Sequence, residues 1–170
     1  MDSNRPIAKQ SERVYRRRLP HVQGERIPLF VTFVTRDRWV LPEPARTIVL
    51  NCCVHDHRRK LYAHVAIVMP DHVHMVFTPL RDAMGASFSL AEIMNGVKGA
   101  SAHGINKFLG RRGPVWQTES FDHALRSSES LAEKVRYVCH NPVRNGLVAT
   151  EGEWPWLWRG GIDDPNEPGC

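Results

Sequence analysis

With 170 residues, 42% of them apolar, the chain suits one domain with a core of its own and is too apolar for a wholly disordered chain. No apolar run approaches the roughly 18 residues of a membrane span, so no membrane association is expected. A net charge of +5 is only moderately basic, but its concentration near the start of the chain suits a polyanionic partner, most simply nucleic acid.

That charge is unevenly placed. Arg5, Lys9, Arg13, Arg16, Arg17, Arg18 and Arg26 crowd residues 1–26, against Asp2, Glu12 and Glu25. This stretch reads as a basic arm, and charge alone is equally compatible with a solvated tail. The start Met-Asp-Ser-Asn-Arg-Pro has no apolar h-region, so no secretory signal and a cytoplasmic location are expected. Cys52, Cys53, Cys139 and Cys170 have no Cys-x-x-Cys spacing and read as ordinary reduced thiols.

Leu29-Phe-Val-Thr-Phe-Val-Thr35 predicts a strand from its β-branched and aromatic content. Residues 43–59 predict an amphipathic helix with Arg58-Arg59-Lys60 at its exit. Tyr62–Val68 and His72–Thr78 predict two strands of a hairpin joined by Met-Pro-Asp. Ser89 is a candidate cap for a helix to about Leu109, in which Gly96, Gly99 and Gly104 mark close approach to a neighbour. Gly110-Arg-Arg-Gly-Pro114 is a basic turn, followed by short extended pieces at Val115–Gln117 and Phe121–Leu125. A last helix starts at Ser127 or Ser128 and ends near Asn141, because Pro142 follows. The domain is expected over 27–158, with 159–170 a disordered tail. This order predicts an α+β sandwich with helices on an antiparallel sheet.

Chemistry concentrates in two stretches, Met69-Pro-Asp-His-Val-His74 and Tyr137-Val-Cys-His-Asn-Pro-Val-Arg-Asn-Gly-Leu-Val148. Two residues apart on a strand, His72 and His74 share one face with Cβ atoms roughly 6.5–7 Å apart, within reach of one divalent cation. Tyr137 and Asn141 lie four apart, on one helix face, where Asn141 would add a neutral oxygen ligand. A histidine pair, a third polar ligand and a tyrosine hydroxyl are the parts needed for metal-assisted attack on a phosphodiester. Histidine-triad hydrolases need a third histidine where Val76 stands, and two-histidine phosphoesterases need a second His-x-Thr that the chain lacks. The other histidines show no ligand spacing, and His64 is a core or supporting group.

The ordered set Arg16-Arg-Arg-Leu-Pro-His21, Phe30–Thr35, Met69–His74, Ile93-Met-Asn-Gly-Val-Lys98, Val115-Trp-Gln117, Phe121-Asp-His123 and Tyr137–Val148 resembles the REP-associated tyrosine transposases, within the HUH single-tyrosine transposases. The resemblance runs from roughly Arg16 to Trp158. It implies a ferredoxin-like fold acting on single-stranded or hairpin DNA, with Mg²⁺ or Mn²⁺ held by His72, His74 and Asn141. It implies that Tyr137 attacks phosphorus to give a 5′-phosphotyrosine, so that strands are cleaved and rejoined. Two positions depart from the family pattern: Asn145 stands where alanine is common, and Asp71 precedes the pair where Asn or Glu also occurs. Candidate DNA contacts are Arg16, Arg17, Arg18, Lys98, Arg111 and Arg112, with Trp116 and Trp154-Pro-Trp-Leu-Trp158 as stacking surfaces. A hairpin-binding protein that mobilises nothing and a water-using metal nuclease are the rival readings. Monomer and homodimer are both open.

Overall fold

β-Branched and aromatic side chains suit a pleated surface, and Leu29–Thr35 is the first strand, β1, of a five-stranded sheet. The computed structural model describes residues 27–125 and 128–160; the arm carrying Arg16, Arg17 and Arg18, and everything past Gly160, lie outside the described residues. Helix α1 (Glu43–Val54), strands β2 (Leu61–Val68) and β3 (His72–Pro79), helix α2 (Leu90–Phe108) and strand β4 (Trp116–Ala124) follow. Helix α3 (Ser128–Cys139), a single turn α4 (Asn141–Arg144) and a short strand β5 (Leu157–Arg159) complete the order. The strands lie as β4-β1-β3-β2-β5, each neighbouring pair antiparallel. The first four strands with α1 and α2 make the βαββαβ order of a ferredoxin-like α+β fold, and β5 extends it beside β2.

Alternate strand residues face opposite ways, and the two faces are covered by different helices. Val31 and Phe33 face α2: Phe33 meets Trp116 edge-on at 4.8 Å, and the Trp116 indole N–H donates to Ser101 Oγ at 3.0 Å. Helix α1 packs beside α2, where a Cβ on Gly104 would lie 2.8 Å from Ile48 Cγ2. Gly96 and Gly99 have open space around them, so only Gly104 of the three glycines marks a close approach. Phe30, Thr32 and Val34 face the other way, toward α3, which packs across β2 and β3. Covered on both sides, β2 is buried along its whole length. As expected, Ser89 caps α2, its hydroxyl accepting from the Glu92 amide at 3.1 Å.

Four expectations are corrected. Helix α1 stops at Val54, and Arg58-Arg59-Lys60 belong to the turn into β2, where Arg58 takes φ +63°. The two short pieces after Pro114 are one edge strand, β4, because β1 pairs along it with a single irregularity between Phe33 and Thr35. Arg159 is no tail residue: it pairs with Val65, and the Gly160 amide donates to the His64 carbonyl at 2.9 Å. Trp154 and Trp156 are core, their indole N–H groups donating to the Val68 carbonyl and to Thr47 Oγ1, each at 3.1 Å. They offer no surface for stacking bases.

Candidate active site

Strand alternation brings His72 and His74 onto one face of β3, with ring centroids 4.7 Å apart. Each imidazole is tied back through Nδ1. His72 Nδ1 lies 2.7 Å from Asp71 Oδ1, and His74 Nδ1 lies 2.7 Å from Thr32 Oγ1, the residue opposite it on β1. Both Nε2 atoms are thereby directed to the same cleft, the arrangement by which partners behind a ligand fix its orientation. Burial first, then the nearby charges of His72 and Lys134, push the His74 pKa down to about 3. His74 is therefore a neutral imidazole at pH 7, the form that ligates metal. Burial alone would raise the Asp71 carboxyl, but hydrogen bonds from His72 and from Arg38, at 3.1 Å, hold it below its ordinary range.

Tyr137 stands on α3, 41% exposed, its ring edge-on to His74 and to Phe30 at 6.3 Å each. Lys134 Nζ lies 5.1 Å and the Arg144 guanidinium 4.9 Å from that ring, which places positive charge where a phosphate would dock. Pro142 ends α3 only nominally. His140 keeps helical backbone, Arg144 N–H donates to its carbonyl at 3.0 Å, and α4 continues the winding. The four-residue spacing survives, so Asn141 reaches the same cleft as Tyr137. Asn141 is buried, and the Asn145 side-chain amide donates to both its carbonyl and its Oδ1 at 2.8 Å. In that assignment Asn141 Oδ1 is held as an acceptor with a lone pair still available. The cleft encloses about 390 Å³ and includes His72, His74, Tyr137, Asn141, Arg38 and Arg144 in its wall.

Among the described residues no three His, Cys, Asp or Glu side chains form a metal cage. Two imidazole nitrogens and one amide oxygen are a donor set that would suit a divalent cation.

The candidate DNA contacts divide. Arg112 is exposed, and Arg111 lies half-buried over the Trp39 ring at 4.2 Å. Lys98 is corrected: its ammonium donates to the carbonyls of Gln117 and Thr118 and to Ser120 Oγ, so it fastens β4 to α2. Trp116 is corrected too, being 7% exposed with its indole N–H engaged on Ser101. Residues that the sequence reading did not place at the site are Thr32, Arg38, Lys134 and Arg144. Helix spacing was a usable signal for two of them, since Lys134 lies three residues before Tyr137 and Arg144 three after Asn141. Among the described residues no helix is long and apolar enough to cross a membrane.

No family model matches the chain. In sequence it is similar to the REP-associated tyrosine transposase of Escherichia coli strain K12, 27% identical over 90 residues, covering 53% of this chain and 49% of that protein. A Haemophilus influenzae protein carrying that name provisionally is 26% identical over 94 residues, 52% of this chain and 53% of its own. The chain spans about half the length of the curated relatives it matches. In fold it matches the solved structure of a REP-associated tyrosine transposase bound to a REP hairpin, with TM-score 0.65 and 21% identity, covering 91% of this chain and 94% of that one.

Proposed function

We propose that the chain is a tyrosine transposase acting on hairpin DNA: a metal-dependent transesterase that cleaves and rejoins single strands through a 5′-phosphotyrosine. The observation that carries this reading is the convergence of Tyr137 from α3 and Asn141 from α4 on the paired imidazoles of β3 in one cleft. The relatives' names agree with it.

His72, His74 and Asn141 would hold Mg²⁺ or Mn²⁺, which when bound polarises a non-bridging phosphate oxygen. Arg38 and Arg144 line the same cleft and neutralise the phosphate's remaining charge. Tyr137 Oη attacks phosphorus, forming the Oη–P bond as the P–O3′ bond breaks. The proton leaving Oη ends, by way of water, on the released 3′-oxygen. The phosphodiester energy stays in the phosphotyrosine, so a later 3′-hydroxyl reverses the step and rejoins strands without ATP. Asp71 and Thr32 take no part in bond making; they hold the imidazoles in place.

Tyr137→Phe removes only the hydroxyl. This variant is expected to keep hairpin binding and lose strand cleavage and the covalent adduct, read on denaturing gels with Mn²⁺ present. Undiminished cleavage by Tyr137→Phe would favour a water-using nuclease. Binding without cleavage by the parent would favour a protein that only recognises hairpins.

A further inference from the structure

The turn Arg36–Arg38 belongs to two cavities. Arg38 lines the active-site cleft, whereas Arg36 and Asp37 line a second cavity of about 400 Å³ with Trp39, Arg111 and Val115. Asp37 and Arg38 both hold φ +55°, a left-handed conformation that residues other than glycine rarely adopt. Such backbone persists where its surroundings over-determine it, and here they do. The Arg36 amide donates to the Val115 carbonyl at 2.8 Å, the Trp39 amide to the Arg36 carbonyl at 3.1 Å, and Thr35 Oγ1 to the Trp39 carbonyl at 2.7 Å. Arg38 is anchored on Asp71 at 3.1 Å. The turn thus places Arg38 in the wall of the active-site cleft and Trp39 in the wall of the cavity next door.

Trp39 differs from the tryptophans of the core. Trp116, Trp154 and Trp156 are each less than 10% exposed with the indole N–H bonded to protein. The Trp39 ring is only half-buried, and the Arg111 guanidinium lies 4.2 Å from its centroid. An indole at the mouth of a cavity beside Arg36 and Arg111 combines the two elements of single-strand recognition, a stacking plane and cations for the backbone. The two cavities adjoin through this three-residue turn, with Arg38 in the wall of one and Arg36 and Asp37 in the wall of the other.

We propose that the Trp39–Arg111 cavity receives an unpaired base of single-stranded DNA next to the phosphate presented to Tyr137. The base stacks on Trp39, and Arg111 moves from the indole face to the base or its phosphate. This rests on the reading of the chain as a DNA transesterase and adds a base-binding subsite to it.

The test compares a hairpin oligonucleotide carrying short single-stranded flanks with the same hairpin lacking them, by fluorescence anisotropy without divalent metal so that no strand is cut. Trp39→Ala is expected to weaken binding to the flanked hairpin by about 10- to 100-fold, the range of one lost base–aromatic stack. Trp39→Phe should retain most of that affinity, and the flankless hairpin should bind the parent and both variants alike. Single abasic sites walked along the flanks should reproduce the loss in the parent at one or two positions, and Trp39→Ala should lose nothing more there. The abasic scan uses the parent protein, so it stands even where a variant folds poorly. Equal weakening of flanked and flankless DNA, or abasic losses of the same size in parent and Trp39→Ala, would overturn the subsite and leave the Trp39–Arg111 pair a tether for the Arg111–Gly113 turn. A parent that shows the stacking signature but no Tyr137 adduct would uphold the subsite and overturn the transesterase reading alone.

Discussion

The two faces of the same central strands solve opposite problems. On one face Val31 and Phe33 of β1 and Val73 and Met75 of β3 are fully buried apolar side chains, packed against the sheet's helices and Trp116. On the other, one residue along each strand, Thr32 and the pair His72 and His74 are polar, hydrogen-bonded and ringed by Arg38, Lys134 and Arg144. The first face supplies rigidity through apolar burial. The second accepts the cost of placing imidazoles at a protein interior, which is visible in a His74 pKa held near 3 by burial. A strand with a period of two lets stability and chemistry be set independently by neighbouring residues.

The contrast is sharpest in substitutions of adjacent residues on β1. Phe33→Ala should cost about 3–5 kcal/mol of stability, as large-to-small changes at fully buried aromatics do. Urea unfolding reads this directly. A loss below about 1 kcal/mol would mean that the apolar face is not what holds the sheet.

A smaller effect should appear as pH dependence on the site face. The folded-state pKa of His74 lies below its unfolded value, so the unfolded chain takes up the proton first as pH falls. Stability should therefore be intact above about pH 6.5 and decline toward pH 4 by about 1.4 kcal/mol per unit from this residue. His74→Gln should remove most of that slope in urea midpoints measured across the range. An unchanged slope would show that His74 is not buried as a neutral base.

The smallest effect on stability, about 1–3 kcal/mol, is expected for Thr32→Val, which keeps the half-buried position filled but leaves Nδ1 of the buried His74 without its partner. Its consequence is for the site, because His74 loses the group that orients it. Mn²⁺ affinity measured by calorimetry on the free protein should fall about 10- to 100-fold, as for other partners behind a metal ligand. Equal metal affinity in Thr32→Val and parent would separate the imidazole's orientation from ligation.

What was legible in the sequence follows from local periodicity. His72 and His74 share a face because strands alternate, and Tyr137 shares a cleft with Asn141 because the helical winding carries through Pro142. The β-branched strands and the Ser89 cap were readable for the same reason. Contacts set by long-range pairing were not. Trp116 looked like a stacking surface until β4, pairing with β1, placed it beneath Phe33. Lys98 looked like a phosphate ligand until α2 brought it over the carbonyls of Gln117 and Thr118. Arg38 and Trp39 gave no signal at all, since they sit in and just after a left-handed turn built without glycine. Asn145 was noticed only as a departure from the family pattern, whereas it grips both oxygens of Asn141.

The central claim, that this second face performs transesterification through Tyr137, is tested most directly by locating the 5′-phosphate after cleavage. Hairpin DNA labelled on the 3′ side of the scissile phosphate would be incubated with the protein and Mn²⁺, then digested and analysed by peptide mass spectrometry. The account predicts that the labelled strand remains covalently attached to the protein at Tyr137 and that the other product ends in a free 3′-hydroxyl. A labelled strand released with a free 5′-phosphate, or attached at any other residue, would contradict it.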